Sequence, residues 1–234
     1  MNILMTRPLI DAEDLMGKLF SLGHKIIHFP TLKILPANSK PIDADKYNAF
    51  IFTSANAIRS LKVIKQDKNK LCFCVGAITE KIARSKGYNN TISAGGTVNA
   101  LKNLIINSSQ INKKSKIAYI CGDNISYDLD LELKREGIKI DKIINYLSEK
   151  ITDLNEENKK IVLSHPPHII FVYSARSALS FIEIVKKHSL YPLMTGSKVM
   201  CISKKVADIF STNNWKKVKI FNPGDELLQL KEEN

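Results

Sequence analysis

The sequence lacks the marks of a membrane or exported protein. No apolar run approaches the roughly 20 residues that a helix needs to span a bilayer. The first residues, MNILMTRPLIDAEDL, carry an arginine, a proline and three acids in place of the apolar stretch of a signal peptide. Only four cysteines are present, and all lie in apolar runs typical of buried strands: Cys72, Cys74, Cys121 and Cys201. We therefore predict a cytoplasmic protein with reduced thiols and no membrane association.

Motifs for metal, nucleotide and covalent chemistry are also absent. The CFC segment at 72–74 is followed by no second cysteine pair and accompanied by no histidine cluster, so the usual zinc sites are excluded. The phosphate-binding loops GxxxxGKS/T and GxGxxG do not occur, and no serine lies in a GxSxG elbow. The sequence predicts a site that holds no metal and no cofactor.

The charge is strongly of one sign. The chain has 35 Lys and Arg against 23 Asp and Glu, a formal net charge of +12, which favours an anionic partner. The basic residues form no basic helix or arginine-rich tract and are not interleaved with aromatic residues, so we predict no nucleic-acid partner. The abundance of Lys, Asn and Ile is also typical of an AT-rich genome, and this second explanation of the charge stays open.

An internal repeat organises the chain. FIFTSANAIRSL at 50–61 is echoed by IFVYSARSALSFI at 170–182, and each segment is an apolar strand that ends at a serine and continues with a helical pattern. Three further strand–helix units repeat in the same way: 2–30 with 116–146, 71–88 with 198–215, and 92–105 with 220–230. Gly23 and Gly137 are placed to end equivalent helices. The pattern predicts an α/β fold of two similar lobes with parallel sheets flanked by helices.

Polar residues follow the predicted strands at each strand-to-helix turn. Ligands of open parallel sheets bind at the carboxyl ends of the strands, where helix N-termini offer free backbone N–H groups. We therefore predict that these residues bind the carboxylates or phosphates of an anion: Arg7, Thr53, Ser54, Asn56, Gly76, Thr79, Gly122, Asp123, Ser174, Ser177, Ser203 and Lys204. For the serines and threonines, the alternative role of helix cap stays open.

Several of these segments resemble the uroporphyrinogen-III synthase family. The resemblance rests on ILMTRP, FTSANAI at 52–58, VG at 75–76, GD at 122–123, INY at 144–146, FVYSARSA at 171–178 and CIS near 201, and it extends from Met1 to about Leu230. It implies two flavodoxin-like lobes joined by a two-segment hinge. One lobe would be discontinuous, 1–34 with 150–234, and the other would be 35–149. A continuous division near residue 110 stays open from the repeat alone.

The resemblance also implies an activity. The family cyclises hydroxymethylbilane, a linear tetrapyrrole with eight carboxylates, to uroporphyrinogen III in haem biosynthesis, with inversion of the last ring (ring D) and loss of water. It implies a lyase that needs no cofactor, a monomer, and transient contact with the preceding enzyme of the pathway. The alternative from another functional class is a non-enzymatic two-lobed protein that binds a small polyanion.

The resemblance assigns roles to individual residues. Tyr146 matches the family's tyrosine at the end of a strand and is the candidate for assisting departure of the substrate hydroxyl, with hinge packing as its alternative role. The hydroxyls at Thr53, Ser54, Ser174, Ser177 and Ser203 match positions that line the family's cleft, and Arg7 is the best-placed cation. Many relatives carry an arginine shortly after the position of Gly122, where this chain has Tyr127; Lys204 is the candidate to compensate.

Overall fold

The computed structural model describes residues 1–231. Backbone contacts group the chain into two compact units, Met1–Lys33 with the chain from Glu149 onward (unit 1) and Ile34–Ser148 (unit 2). The chain therefore passes from one unit to the other at two places.

Strands and helices alternate along the chain. In chain order they are β1 (Asn2–Met5), α1 (Leu9–Ser21), β2 (Lys25–His28), β3 (Leu32–Pro36), a 3-10 turn (Ala44–Lys46), β4 (Ala49–Phe52), α2 (Ala55–Arg59), β5 (Leu71–Cys74), α3 (Ala77–Ser85), β6 (Thr91–Ser93), α4 (Val98–Ile106), β7 (Lys116–Gly122), α5 (Leu129–Arg135), β8 (Lys139–Lys150), α6 (Glu156–Ser164), β9 (Ile169–Val172), α7 (Ala175–Lys187), α8 (Tyr191–Met194), β10 (Lys198–Cys201), α9 (Lys204–Ser211), β11 (Val218–Ile220) and α10 (Glu226–Lys231). The predicted α/β class is confirmed.

The two sheets have related strand orders. Unit 1 has the order β2-β1-β9-β10-β11, and all its strand pairs are parallel. In unit 2 the order is β3-β8-β7-β4-β5-β6, with parallel pairing from β8 to β6. If β7 is counted as the first strand, β8-β7-β4-β5-β6 repeats the flavodoxin-like order of unit 1. The sequence repeat thus corresponds to a repeat of sheet topology, in which the strand order reverses between β1 and β9 and between β7 and β4.

Each sheet is buried on both faces, which explains its continuous apolar strands. In β4 all four residues are buried, and their side chains alternate between two core clusters. Phe50 and Phe52 pack with Tyr88 on one face, while Ile51 packs with Phe73 and Tyr119 on the other. Helices cover both faces, so neither set of side chains needs to be polar. The four cysteines are likewise buried, as their strand positions predicted.

Glycine ends the two equivalent helices. Gly23, after α1, has φ +81°, and Gly137, after α5, has φ +79°. Both lie in the left-handed region, which residues with a Cβ rarely adopt, so glycine is required at these turns.

The connections differ from the sequence prediction. Two prolines and the lack of periodicity in LPANSKPIDADKY predict a linker over 35–47. Its first two residues instead belong to β3, an edge strand beside β8. The β8 strand continues to Lys150, beyond the predicted strand end at Tyr146. Pro30, Pro36 and Pro41 conceal β3 in the sequence, because proline cannot donate a ladder hydrogen bond and is more typical of turns and linkers. The polar, charged segment 147–168 predicts a helix over part of its length and a connection over the rest, and α6 is that helix.

No helix among residues 1–231 is long and apolar enough to cross a membrane. Within the same range, no group of three or more His, Cys, Asp or Glu residues is arranged to hold a metal ion.

One ion-pair cluster in unit 1 contains a carboxylate with a lowered pKa, Asp153. The carboxylate of Asp153 accepts hydrogen bonds from Lys187 Nζ at 2.8 Å and from the Leu154 backbone N–H at 2.9 Å. It also lies 2.6 Å from His188 Nε2. These contacts, with that of Lys187 the largest, lower the pKa of Asp153 to about 2.

Because this pKa is lower in the folded state, the stabilisation is present above the ordinary carboxyl pKa and is lost as the pH falls toward 2. We expect the free energy of unfolding of the wild type to fall more steeply than that of Asp153→Asn between about pH 5 and pH 2. Urea unfolding at several pH values measures both slopes. Lys187→Met should lose much of the same dependence, and equal slopes for all three proteins would contradict the prediction.

Candidate functional site

A small polar cavity lies at the carboxyl edge of the sheet in unit 2, where the strand order reverses. Its volume is about 140 Å³. The cavity is lined by Thr53 and Ser54 after β4, by Gly122 at the end of β7, by the following loop residues Asn124, Ile125, Ser126 and Tyr127, and by Val98, Tyr119 and Tyr146. Three tyrosines and several hydroxyls thus surround one cavity of a size that suits a single ring or carboxylate arm of a larger ligand.

The position of Tyr146 depends on a bulge in β8. Cys121 pairs with Ile144 and Gly122 with Tyr146, so Asn145 is the extra residue on β8. Its side-chain amide donates to the backbone carbonyl of Ala57 at 2.6 Å, which fixes the bulge against α2. A bulge re-aims the residue that follows it, and here that residue is the candidate catalytic tyrosine.

Gly122 allows the phenol of Tyr146 to pack against the backbone of β7. A Cβ atom at Gly122 would lie 2.5 Å from Cζ of Tyr146 and 2.9 Å from its Oη. These distances are shorter than any normal contact, so only glycine leaves room for the ring. The backbone N–H of Asp123 donates to the carbonyl of Tyr146 at 3.1 Å, and the Ser148 N–H donates to the Asp123 carboxylate at 2.9 Å.

Two further hydroxyls line the same cavity. The Thr53 Oγ1 and Tyr119 Oη atoms are hydrogen-bonded at 3.2 Å. Burial raises the pKa of Tyr119 well above its ordinary value, so its phenol stays protonated at neutral pH. Ser54 is the N-cap of α2, and its Oγ accepts the backbone N–H of Asn56 at 3.1 Å. A capping serine accepts through its oxygen and keeps its own proton to donate to an anion.

The other predicted residues of unit 2 do not line this cavity. Asn56 is buried, and its Oδ1 accepts from the guanidinium of Arg59 at 2.9 Å. Thr79 is buried in the first turn of α3. A Cβ at Gly76, the N-cap of α3, would approach Cα of Gly96 to 3.2 Å, so Gly76 serves a close approach of two loops.

In unit 1, the serines at the strand ends divide into caps and one internal group. Ser174 caps α7 by accepting from Ser177 N–H at 3.0 Å, and Ser203 caps α9 by accepting from Val206 N–H at 3.4 Å. The hydroxyl of Ser177 is buried and hydrogen-bonded to the hydroxyls of Thr6 and Thr31. The Lys204 ammonium is exposed and ion-paired with Asp208 at 2.6 Å. The cap role left open above is therefore confirmed for Ser54, Ser174 and Ser203.

Two arginines of unit 1 at the strand ends have no carboxylate partner among residues 1–231. The Arg7 guanidinium lies 4.6 Å from the centre of the Tyr173 ring and has no ion pair among the described residues. Nη1 of Arg176, in the first turn of α7, is buried and has no hydrogen-bond partner there. In unit 2, by contrast, Arg84 and Arg135 are ion-paired with Glu80 and Glu132.

Several residues around these sites were missed in the sequence. Tyr119, Tyr127 and Asn145 shape the cavity of unit 2, and Tyr173 and Glu226 surround Arg7 in unit 1. Tyr173 does have a sequence signal, since it immediately precedes Ser174 in the repeated strand-end segment. Glu226 has no signal in the sequence, because its contact with Tyr173 joins residues 53 positions apart.

A larger cavity of about 630 Å³ lies at the opposite, amino edge of the unit 1 sheet. Its lining includes Lys198, Lys216, Lys217 and Lys219 beside the start of β9, β10 and β11. Parallel sheets bind their ligands at the carboxyl ends of the strands. The smaller cavity is therefore the better candidate for chemistry, although it is not the largest.

A family model and two solved structures all relate this chain to uroporphyrinogen-III synthases. The family described as "Uroporphyrinogen-III synthase HemD" matches residues 13–221. The uroporphyrinogen-III synthetase of Helicobacter pylori has a similar solved structure, with TM-score 0.63 and 16% identity over 99% of this chain and 98% of that one.

A mutant uroporphyrinogen III synthase of the extremely thermophilic bacterium Thermus thermophilus is similar with TM-score 0.54 and 14% identity, over 99% of this chain and 97% of that one. At these low identities, the structural similarity shows a shared fold and nothing further. A search of curated protein sequences found no match.

Proposed function

Because this chain belongs to the uroporphyrinogen-III synthase family, we propose that it cyclises hydroxymethylbilane at the polar cavity of unit 2, with Tyr146 as the residue that assists loss of the hydroxyl. Enzymes of this family are cofactor-free lyases that form the macrocycle of uroporphyrinogen III. The observation that carries the assignment of the site is the phenol of Tyr146, packed on Gly122 at the point where the strand order reverses.

The reaction needs one proton at one oxygen. The bond between carbon and the terminal hydroxyl breaks, and the hydroxyl leaves as water after it takes up a proton. The cation that remains closes on ring D through a spiro intermediate, and a ring proton is lost at the end, so the net change is the loss of one water. In our proposal, the phenol of Tyr146 donates its hydrogen bond to the leaving oxygen and so lowers the barrier to this step.

Orientation of the substrate contributes more to the proposed catalysis than proton donation does. Hydroxymethylbilane also closes without inversion in the absence of enzyme, so the protein must hold the chain in the conformation that leads to the inverted product. The capping hydroxyls of Ser54, Ser174 and Ser203 support this role, because each keeps a proton to donate to a carboxylate beside a helix N-terminus.

We propose Arg7 and Arg176 as the main cations for the carboxylates in unit 1. Both lack a carboxylate partner within the described chain. Arg176 is a better candidate than Lys204 to compensate for the arginine missing after Gly122, since Lys204 is already paired with Asp208. A buried guanidinium nitrogen without a partner is costly, and a substrate carboxylate would relieve that cost.

The setting of the enzyme is also part of the proposal. Four buried, unpaired cysteines are consistent with a reducing, cytoplasmic compartment. We propose a monomer that takes its substrate in transient contact with the enzyme that produces it, since free hydroxymethylbilane closes to the wrong isomer.

The product isomer tests the function. Hydroxymethylbilane is generated in situ, the protein is added, the products are oxidised, and the porphyrin isomers are separated by chromatography. We expect mostly type III, well above the amount formed in the absence of protein. Type I alone, at the spontaneous rate, would overturn the proposal and favour a two-lobed binding protein for a small polyanion. Such a binding protein should bind a polycarboxylate saturably without converting it.

A further inference from the structure

Three side chains meet at the carboxyl edge of unit 1. The hydroxyl of Tyr173, just after β9, donates to Glu226 Oε1 at 3.1 Å. The backbone N–H of Gly224 donates to Glu226 Oε2 at 2.9 Å, so both carboxylate oxygens are engaged. Glu226 is only 6% exposed, and Arg7 lies over the face of the Tyr173 ring. The sequence separates Arg7 from the other two by more than 160 positions. The pairing of β1 with β9 brings Arg7 beside Tyr173, and Glu226 reaches them from the start of α10.

The ring of Tyr173 is held on several sides. It stacks on Phe171 with an interplanar angle of 28° and meets Phe221 edge-on at 5.5 Å between centroids. Its hydroxyl is fixed by Glu226, and burial raises its pKa well above the ordinary value, so it remains a donor. The ring is therefore a rigid surface, and the guanidinium of Arg7 lies 4.6 Å from its centre.

Arg7 contacts both the ring and the hydroxyl of Tyr173, and its hydrogen bond to that hydroxyl opposes part of the rise in the phenol pKa. A guanidinium carries five N–H donors, so a bond to Tyr173 leaves others that suit a carboxylate in two-pronged contact. The carboxylate nearest in this cluster is already occupied by Tyr173 and Gly224. A free Glu226 would compete with an incoming anion for Arg7.

We infer that Tyr173 and Glu226 are positioning residues that hold Arg7 for one carboxylate of the substrate. Tyr173 supplies the surface on which Arg7 rests and keeps Glu226 from pairing with it. Glu226 in turn anchors the ring through its hydroxyl. This inference rests on the proposed function, since it deepens the description of how the same enzyme binds its polycarboxylate substrate.

The first experiment compares Tyr173→Phe, Glu226→Gln and Arg7→Met in the rate of type III formation. We expect Tyr173→Phe to raise KM by about three- to tenfold and to change kcat by less than about twofold, because the lost bond acts on binding. Glu226→Gln should have a smaller effect, since a neutral amide still accepts from Tyr173 and does not attract Arg7. A change confined to kcat would overturn the inference.

A double-mutant cycle shows whether the effect passes through Arg7. In the Arg7→Met background, Tyr173→Phe should change KM by less than about twofold. Additive effects of the two substitutions would mean that Tyr173 serves the structure of unit 1 instead. Tyr191→Phe is the matched control, because the hydroxyl of Tyr191 bonds the Asn213 carbonyl away from this cluster.

A direct binding measurement separates this inference from the function. The probe is uroporphyrin, an octacarboxylate, followed by its own fluorescence. Tyr173→Phe should weaken its binding by about three- to tenfold in the wild-type background and by less than about twofold in Arg7→Met. If the wild type forms only type I, the proposed function fails while this measurement still decides the positioning role. Equal affinities of wild type and Tyr173→Phe would overturn that role.

Discussion

We expect Tyr146→Phe to form type III product at least about tenfold more slowly than the wild type, while the protein keeps its fold. The substitution removes one oxygen from the cavity and keeps the ring that packs on Gly122. In the proposed mechanism, loss of the phenol leaves the departing hydroxyl to take its proton from water in a less favourable geometry. Because spontaneous closure continues unchanged, the fraction of type I in the product should rise as the catalysed route slows.

The measurement is the initial rate of each isomer, together with circular dichroism and urea unfolding for the fold. Tyr88→Phe is the matched control: Tyr88 is a buried tyrosine of the same unit that packs on Phe50 and Phe52 and does not line the cavity. We expect wild-type rates from the control. Unchanged turnover in Tyr146→Phe would remove Tyr146 from the chemistry and leave it the role of a packing aromatic.

Gly122→Ala should damage both stability and activity. The new methyl group would overlap the ring of Tyr146, whose atoms are the three nearest neighbours of that position. The ring and the bulge at Asn145 must then move, and overpacking of this kind costs roughly 1–3 kcal/mol. Since the phenol is displaced from the cavity, we also expect the rate of type III formation to fall by about tenfold or more.

Two variants test the cause of this effect. In a Tyr146→Ala background the ring is gone, so Gly122→Ala should lose most of its effect on the free energy of unfolding. Gly17→Ala is the control, because Gly17 lies inside α1 with open space around it. There alanine should stabilise the helix by up to about 1 kcal/mol and leave the rate unchanged. Equal stability of Gly122→Ala and the wild type would contradict the packing argument.

The strands and helices could be predicted from the sequence where the local pattern was strong. Apolar segments such as those of β4 and β9 predicted buried parallel strands, and serines at their ends predicted helix starts. The edge strand β3 was missed because Pro30 precedes it and Pro36 lies within it, which favours a linker in the sequence. Strands buried on both faces are identified more readily than edge strands.

The candidate site could be predicted from the sequence only in part. Thr53, Ser54, Gly122 and Tyr146 were predicted as site residues and line one cavity. Ser177 looked equivalent to them in the sequence, yet its hydroxyl is bonded to Thr6 and Thr31 inside unit 1. Whether a strand-end hydroxyl faces a ligand or the interior depends on the neighbouring strand, and a single segment does not contain that information.

The sequence by itself determined the alternation of strands and helices, the strand ends at which polar side chains emerge, and the glycines that end helices. These features depend on residues that are close along the chain, through hydrophobic periodicity and the φ angles open to glycine. The tertiary structure alone decided that β7 lies beside β4, that the bulge at Asn145 turns Tyr146 onto Gly122, and that Glu226 reaches Tyr173. Strand pairing and bulges are set by contacts between distant segments, and one extra residue in a strand reverses which side chains share a face.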